Sequence, residues 1–477
     1  MQTIGRIKSV ASRHPRAGDR FASARLGICG HAHKGAEMGS DHADNRSSIG
    51  NNGNLSSAVA PSCDTWRGPG PKRLIFHCDV NSAFLSWEAT YRVHHLGETV
   101  DLREIPAIVG GNQASRHGIV LASSIPAKRC GIKTAMPVVE ARRLCPDLTV
   151  VPPHYDLYVE CSDALLSILH DVCPLVEQYS IDEAFCDMTG VTVATEDPVG
   201  FANALRERIF RELGFTVNIG VSVNKLLAKM ASDFKKPNLV HTLWPEEIAA
   251  KMWPLPVRDL FFIGHATERH LKNMGIHTIG EVAKTPEAIL RGALKQHGTT
   301  VWNFANGIDP SPVIDTPPPN KGYGNSTTIN HDVTDPAEAK QVLLKLCDMV
   351  TTRLRADKVQ AGVVAVGIRT YDLRYYSHQM VLDTPTNITT ELHEHACKLF
   401  DAAWDGTPIR SLGVHTSRVS DADSARQLSL FDTTDYEKLG KMDRTVDAIR
   451  KRFGDASVTR ASLIPKPTAS DNTPFDD

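Results

Sequence analysis

QYSIDEAFCD, residues 178–187, carries two neighbouring carboxylates, Asp182 and Glu183, between apolar and β-prone residues. Because neighbouring side chains of a flat strand point to opposite faces, both acids can reach one site only from a strand end or a tight hairpin. A second apolar run, LIFHCD at residues 74–79, also ends in a carboxylate, Asp79. Three carboxylates at two strand ends indicate a site for hard divalent cations, which take oxygen ligands.

The size of the chain predicts several domains. At 477 residues it is too long for one core, and length alone suggests about three domains. The net charge of −2 gives no support to a nucleic-acid partner, so any DNA would be held by individually placed cations. The ten cysteines include no Cys-x-x-Cys pair, and no apolar run is long enough to cross a bilayer. We therefore expect a protein of the reducing cytoplasm, with no zinc cage, disulfide framework or membrane span.

Residues 1–71 have the composition of a disordered extension. They are rich in Ser, Gly, Asn, Arg and His and show no hydrophobic periodicity. The first 18 residues contain no acid and several Arg and Lys, a composition that also resembles an organellar transit peptide. We favour a dispensable extension.

The fold is expected to begin at Lys72 with alternating strands and helices. Residues 73–79 predict a buried strand, followed by a turn into a helix with Ser82 or Asn81 as its N-cap. Further strands are predicted at 107–109, 119–122, 175–187 and 217–222. Further helices are predicted at 126–131, 136–144, 156–172, 197–213 and 224–233. Strands and helices that alternate on one sheet indicate an α/β or α+β layer domain, which ends at 235–238.

Residues 241–312 are expected to be all-helical. The segments 260–267 and 271–276 fit a helix, a glycine turn at Gly264 and a second helix. Such a helix-hairpin-helix can hold a DNA phosphate on backbone N–H groups at a helix start, without reading the base sequence. An ordinary αα-hairpin fits the pattern equally well.

A second folded region follows the proline-rich linker at 313–320. Residues 321–420 predict a small α+β domain of four strands and two long helices. The predicted strands are 323–330, 361–370, 374–381 and 409–419, and the predicted helices are 335–355 and 387–404. Arg369 and Arg374 fall where phosphate contacts could lie, although a solvated strand face explains them equally well.

The tail, residues 421–477, carries a short apolar peptide, QLSLF at 427–431, in polar surroundings. Apolar side chains with nothing local to bury against indicate a peptide that docks into the groove of a partner. A turn that packs back on the body of the protein is the alternative. Residues 436–453 predict one amphipathic helix.

The carboxylate cluster favours metal-dependent phosphoryl transfer. Two cations roughly 3.5–4 Å apart can clamp the attacking and leaving oxygens, and bridging carboxylates are needed to hold them so close. Lys225, which opens a helix after a strand, could neutralise a triphosphate or could be an ordinary exposed lysine. Nucleotide cyclases and nucleases use similar acidic pairs, so the spacing alone leaves those functions open.

Three segments resemble the Y-family translesion DNA polymerases, with the closest likeness to the DNA polymerase IV, or DinB-like, branch. They are DVNSAF at 79–84, SIDEAF at 180–185 and GVSVNKLLAKMASD at 220–233, in the order of the family. The resemblance runs from about 72 to 455 and implies an α+β right-hand polymerase with a ferredoxin-like palm. The implied domains are the palm at 72–90 and 149–240, small fingers at 91–148, a helix-hairpin-helix thumb at 241–312, the linker at 313–320 and an α+β little finger at 321–420.

The resemblance also assigns roles to individual residues. Asp79, Asp182 and Glu183 take the catalytic metal-ligand positions, with the Val80 carbonyl as a backbone ligand. The implied cofactor is a pair of Mg²⁺ ions per active site, for which Mn²⁺ could substitute. Phe84 takes the steric-gate position, which excludes a ribose 2′-hydroxyl group.

Contacts to the substrates are implied in the same way. Lys128 and Lys225 take nucleotide-binding positions, and the turn at Gly264 becomes a binder of the DNA backbone, together with Arg369 and Arg374. Four residues of the tail form a peptide that binds a sliding clamp: Gln427, Leu428, Leu430 and Phe431.

The chain departs from the family pattern at three positions. Asn81 stands where many members have a second Asp, at a position that is usually peripheral to the metals. Ile125 stands where many members have a Tyr that touches the triphosphate. Lys128 stands where many have Arg, and Lys keeps the charge but loses the bidentate fork. We expect activity to survive and nucleotide affinity or selectivity to differ.

The resemblance therefore implies a template-directed, low-fidelity DNA polymerase that extends primers past damaged bases. Its partners would be primer–template DNA, deoxynucleoside triphosphates and a sliding clamp, and the protein would be a monomer. The alternative is a catalytically silent clamp or mutasome adaptor on the same fold. Such relatives lose the carboxylates, and all three are present here, which disfavours that alternative.

Overall fold

The computed structural model describes residues 73–111, 118–422 and 435–463. The predicted extension at 1–71 and the peptide at 427–431 lie outside these residues. The chain divides into two compact units, and the main boundary between them falls between Pro317 and Pro318.

The described residues form strands and α-helices in both units. The strands are β1 (Ile75–Val80), β2 (Ala107–Gly110), β3 (Val120–Ser123), β4 (Thr149–Val151), β5 (Val176–Gln178), β6 (Glu183–Asp187), β7 (Val217–Ser222), β8 (Val240–Thr242), β9 (Gly322–Val333), β10 (Val359–Thr370), β11 (Tyr375–Thr386) and β12 (Ile409–Asp421). The helices are α1 (Ala83–Tyr91), α2 (Ile125–Arg129), α3 (Val138–Leu144), α4 (Tyr155–Val172), α5 (Thr192–Glu196), α6 (Pro198–Leu213), α7 (Lys225–Ser232), α8 (His265–Asn273), α9 (Ile279–Lys284), α10 (Glu287–Leu294), α11 (Gln296–Ala305), α12 (Pro336–Ala356), α13 (Thr389–Ala403) and α14 (Tyr436–Phe453).

A five-stranded sheet of order β5-β6-β1-β7-β8 forms the centre of the first unit. All of its pairs are antiparallel except β7 with β8. The single strand predicted at 175–187 is wrong, because β5 and β6 are separate strands that pair antiparallel as a hairpin. The chain reverses between them, and this reversal brings Asp182 and Glu183 to the end of the sheet.

The two faces of the central sheet have different neighbours. Phe76 and Cys78 on β1 pack with Ala184 on β6 in the main core, which also contains buried side chains of α1, α4 and α6. The alternate residues of β1 and β6 point to the other face, where Ile75 and Phe185 pack with Ala228 of α7. This second face carries the polar residues of the site.

A smaller sheet of order β3-β2-β4 carries α2 and α3. Ser124 caps α2, since its hydroxyl accepts a hydrogen bond from the Ala127 amide at 3.1 Å. The buried side chains of Ile108, Val120 and Val138 belong to a separate small core. The short strands and helices predicted within 91–148 are therefore present, with bounds shifted by one or two residues.

The region after β8 is helical, but its first predicted helix is wrong. Residues 260–264 form a turn after the 3₁₀ segment Val257–Asp259, and α8 begins at His265 with Gly264 as its N-cap. The run of apolar side chains in this segment suggested a helix. In the structure the segment is a turn, and the buried side chains of Leu260 and Ile263 pack in one cluster with Leu271 of α8.

The second unit contains a four-stranded antiparallel sheet of order β11-β10-β12-β9. Helices α12 and α13 pack on one face of it, with Leu346 and Phe400 among the buried side chains. The predicted helix at 436–453 is confirmed and is joined to α12 by ion pairs, among them Arg355 with Asp443 at 3.3 Å. No helix within the described part of the chain is long and apolar enough to span a membrane.

Candidate active site

Three predicted acids, Asp79, Asp182 and Glu183, lie together at one end of the central sheet. Asp79 on β1 is the direct register partner of Glu183 on β6. The Val80 amide donates a hydrogen bond to the Asp182 carbonyl at 3.0 Å, so Asp182 follows the end of β1 closely. Antiparallel pairing thus joins acids that are 103 and 104 positions apart in the sequence.

Asp79 is buried, with 6% of its surface exposed, and its carboxylate forms an ion pair with Lys236. Lys236 also contacts Asp233 at 2.9 Å. Burial raises the pKa of Asp79, against the opposing effect of the Lys236 charge. Burial alone would lower the pKa of Lys236, but the two carboxylates outweigh it and raise that pKa. Lys236 is therefore the cation that balances Asp79 in the free protein.

Glu183 has a different set of partners on the α7 face. Lys229 Nζ lies 2.6 Å from Oε2, and His77 Nε2 lies 3.3 Å from the same oxygen. Burial would raise the pKa of Glu183, but the His77 hydrogen bond and the Lys229 charge lower it to about 2. Burial lowers the pKa of His77, whose Nδ1 lies 2.8 Å from the Ser232 hydroxyl oxygen. Glu183 is therefore held as a carboxylate anion.

Asp182 accepts its hydrogen bond from a hydroxyl group. Ser180 Oγ donates to Asp182 Oδ1 at 2.6 Å, within the turn that joins β5 to β6. Burial raises the pKa of Asp182, with a further contribution from the negative charge of Glu183. A cation bound beside Asp182 would instead lower the pKa of this carboxyl group.

The donor set suits hard divalent cations. Asp79 and Asp182 are carboxylates that burial makes costly to ionise, and Val80 follows Asp79 at the end of β1, where its carbonyl could add a neutral oxygen. Within the ranges that the structure covers, no three His, Cys, Asp or Glu side chains are already arranged around a metal position. Asp79 and Glu183 instead face lysines, which supply the positive charge that a dication would bring.

Phe84 lies in the first turn of α1 and stacks on Tyr158 of α4. The ring centroids are 4.6 Å apart and the planes differ by 11°. The Tyr158 hydroxyl donates to Glu88 Oε1 at 3.0 Å, and this fully buried carboxylate also pairs with His154 at 2.7 Å and Arg92 at 3.4 Å. The Phe84 ring is therefore half-buried against a partner that is itself fixed.

Two lysines approach Asp79 from different elements. Lys128 of α2 donates to Ser82 Oγ at 2.8 Å, at the turn that follows β1. Burial lowers the pKa of Lys128, and the neighbouring charge of Lys236 lowers it further. Lys128 thus lies at the turn that follows β1, within electrostatic range of Lys236 and Asp79.

Lys225 does not contact the acidic cluster. Its Nζ lies 2.6 Å from Glu177 Oε1 and 4.9 Å from the centre of the Phe185 ring. Glu177 also accepts a hydrogen bond from the Ile314 amide at 3.0 Å. Lys225 therefore pairs outside the acidic cluster, whereas Lys236 pairs with Asp79 within it. Sequence reasoning used the KKPN segment at 235–238 only to mark the end of a domain.

Two departures from the family pattern can also be located. Asn81 donates to Asn218 Oδ1 at 3.2 Å and accepts from the Asn238 amide at 2.8 Å. It therefore ties β1 to the segment that carries Lys236. Ile125 is 41% exposed on α2 and carries no polar group toward a nucleotide.

The predicted DNA contacts are carried by other elements than the acids, and the predicted clamp contacts lie outside the described residues. Gly264 is the N-cap of α8. Arg369 is exposed and stacks over Tyr375 at 5.4 Å, whereas Arg374 is 69% exposed and pairs with Asp372 at 2.7 Å. A solvated strand face and a phosphate-binding face both fit these arginines. The four clamp-peptide residues lie outside the described residues: Gln427, Leu428, Leu430 and Phe431.

Comparison with known families gives matches along most of the chain. The impB/mucB/samB family matches residues 78–233, and the C-terminal domain of that family matches 320–430. Between them, the IMS family HHH motif matches 245–276.

Curated relatives extend over the same region. The DNA polymerase IV of Clostridium acetobutylicum is 43% identical over 394 residues, covering 83% of this chain and 99% of that protein. The DNA polymerase IV of Acetivibrio thermocellus is 37% identical, with 82% and 98% coverage. DNA polymerase IV 1 of Bacillus subtilis is 35% identical, with 83% and 95% coverage.

A solved structure supports the fold independently. A Y-family DNA polymerase chimera of Dbh and Dpo4 superposes with a TM-score of 0.62 and covers 72% of this chain and 99% of its own. Its sequence is 21% identical, so the likeness bears on the fold alone. The predicted α+β right-hand fold is confirmed.

Proposed function

The chain belongs to the DNA polymerase IV branch of the Y-family DNA polymerases, and we propose that Asp79, Asp182 and Glu183 form its catalytic centre. As a member of this family it is a template-directed, low-fidelity DNA polymerase that extends primers past damaged bases. The register pairing of Asp79 with Glu183, with Asp182 one residue away, is the observation that carries the proposal. A silent adaptor would have no need for one buried and two half-buried acids in one place.

Members of this family use divalent metal ions, and we propose two Mg²⁺ per active site, held by the three carboxylates and the Val80 carbonyl. When bound, such ions lower the pKa of the attacking 3′-hydroxyl group and offset the charge of the triphosphate. The chain's own part is to keep the carboxylates ionised: His77 and Lys229 do this for Glu183, and Ser180 orients Asp182.

Lys128 and Lys236 are our candidates for the triphosphate contacts. Both ammonium groups lie near Asp79, and the Lys236 side chain is 38% exposed, whereas the Lys225 side chain is only 14% exposed in its pair with Glu177. An incoming triphosphate would offer these lysines phosphate oxygens in exchange for Ser82 and Asp79. The two contacts would then hold the nucleotide at the carboxylates without dependence on its base.

Phe84 is our candidate for the steric gate. Its ring is stacked face to face on Tyr158, which Glu88 holds through the hydroxyl, so it cannot swing away easily to admit a larger sugar. A ribose 2′-hydroxyl would meet the ring and lose its hydration without gaining a hydrogen bond.

The family also implies that DNA and nucleotides are the substrates. We further propose that Gly264, Arg369 and Arg374 contact the DNA backbone, and that the peptide at 427–431 binds a sliding clamp. We propose that the protein is cytoplasmic and that it is a monomer. Size-exclusion chromatography with light scattering would test the oligomeric state.

Primer extension tests the assignment. With Mg²⁺, a primer–template and deoxynucleotides, the unaltered protein should extend the primer across undamaged and damaged templates, and Asp182→Ala should not. Glu207→Ala is the matched control, because this carboxylate is exposed on α6 and pairs only with its neighbour Arg206 in the described structure. Absence of extension by the unaltered protein with both Mg²⁺ and Mn²⁺ would favour the adaptor.

A further inference from the structure

Phe262 lies in an unfavourable backbone conformation with much of its ring in solvent. It belongs to the turn at 260–264 that precedes α8, and its φ is +72°. Residues other than Gly, Asn and Asp rarely adopt this left-handed region, because the side chain crowds the backbone. The residue is also 57% exposed, so burial of the ring does not offset the strain. Strained positions of this kind concentrate where a protein binds something.

The ring of Phe262 is nevertheless held in place along one edge. Phe261 meets it edge to face at 4.5 Å between ring centroids, and Phe304 of α11 lies 5.8 Å away. Phe261 in turn contacts Tyr179 at 6.1 Å, in the turn that leads to Asp182. An aromatic row therefore runs from the edge of the active site to the exposed ring, and its last member is a fixed apolar surface.

The surroundings of this ring suit a DNA strand. Gly264 begins α8 without a side-chain cap, and the space where its side chain would lie is open. A phosphate can bind to the amide groups of such a helix start, and the helix-hairpin-helix match covers this turn. Beside this helix start, Arg258 is 42% exposed and forms an ion pair with Glu268 at 2.9 Å, and its Nη1 lies 2.6 Å from Nδ1 of the exposed His265. Phe262 stands two residues before Gly264, in the same turn.

We propose that Phe262 packs its ring against a deoxyribose of the DNA strand whose phosphate binds at the start of α8. The contact is apolar and independent of base sequence, since every nucleotide presents the same sugar. It would hold the duplex at a fixed distance from the active site while single nucleotides are added. The inference rests on the proposed DNA-binding role of the Gly264 turn.

The test measures primer–template binding by fluorescence anisotropy over a series of salt concentrations. Phe262→Ala should weaken binding by about tenfold. The slope of log Kd against log salt should stay the same, because an apolar contact releases no counterions. Phe210→Ala is the control, since Phe210 is 46% exposed on α6 and stacks on no other ring in the described part of the chain; it should bind DNA like the unaltered protein.

A second variant separates the contact from the strain. Phe262→Gly removes the ring and also relieves the backbone, because glycine adopts positive φ freely. We expect it to melt at a higher temperature than Phe262→Ala and to bind DNA equally weakly. Phe262→Trp should retain most of the affinity, since it keeps an aromatic surface.

The outcomes distinguish this proposal from the general assignment. If the unaltered protein binds primer–template tightly and Phe262→Ala binds it equally well, the sugar contact is refuted and the polymerase assignment stands. A changed salt slope for Phe262→Ala would also refute it, because the loss would then be electrostatic. If the unaltered protein does not bind primer–template at all, both the proposed function and the contact fail.

Discussion

Replacing Lys236 by alanine should weaken nucleotide binding strongly, whereas the same change at Lys225 should not. A hydrogen bond from an ammonium group to a charged acceptor contributes about 1.5–3 kcal/mol. Its loss corresponds to an increase of about 10- to 100-fold in the KM for deoxynucleotides. Lys236 is the ion-pair partner of Asp79, so the variant also leaves that buried carboxylate without its cation.

Lys225→Ala should instead reduce stability. Lys225 and Glu177 are each only 14% exposed, and Glu177 also holds the Ile314 amide. Removing the lysine leaves a mostly buried carboxylate underpaired, which should cost about 1–3 kcal/mol of the free energy of unfolding. The KM for nucleotides should remain within about twofold of its original value, since this lysine contacts none of the three acids.

Steady-state single-nucleotide insertion on one primer–template measures both effects, together with denaturant unfolding of each variant. Lys235→Ala is the matched control, because this neighbouring lysine is exposed and only its carbonyl oxygen is used by Asn218 and His241. The reasoning is refuted if Lys225→Ala raises the KM tenfold while Lys236→Ala leaves it unchanged. Lys236→Arg should recover part of the affinity, because the charge is kept.

Three further changes test separate parts of the molecule. Phe84→Ala should lower the preference for deoxynucleotides over ribonucleotides by at least about tenfold in kcat/KM, and an unchanged sugar preference would remove its role as the gate. Asp443→Ala should lower the free energy of unfolding of the second unit by about 3–5 kcal/mol. The reason is that this carboxylate is buried and accepts hydrogen bonds from the Thr389 amide and two arginines; a loss below about 1 kcal/mol in urea unfolding would contradict the estimate. Leu430→Ala combined with Phe431→Ala should leave unassisted primer extension intact and abolish its stimulation by a sliding clamp, and persistent clamp binding would count against the peptide.

Local patterns in the sequence predicted the elements that are set by local forces. The apolar periodicity of 436–453 gave a helix with the bounds seen in the structure. The acidic pair in 178–187 required a strand end or hairpin, and the chain does reverse between β5 and β6. These predictions succeeded because side-chain alternation and helical periodicity are properties of neighbouring residues.

The turn at 260–264 and the choice between two lysines could not be predicted in this way. The run of apolar residues before Gly264 is compatible with a buried helix and equally with a buried turn. No feature of the sequence indicates the positive φ of Phe262. Lys225, Lys229 and Lys236 all follow β7, which ends at Ser222, in one short stretch of the chain. Which carboxylate each lysine meets depends on the positions of β1, β5 and β6, which are remote in the chain.

Asn81 shows how the three-dimensional contacts account for a departure from the family pattern. Its amide donates to Asn218 and its carbonyl oxygen accepts from the Asn238 amide, so both halves of the side chain are used. An aspartate at this position could accept from Asn238 but could not donate to Asn218, and it would add a fourth negative charge near Asp79. Lys236 lies two residues before Asn238. The side-chain amide of Asn81 therefore anchors the segment that carries this lysine. The absence of a second acid at Asn81 is therefore compatible with a metal site whose charge comes from Asp79, Asp182 and Glu183.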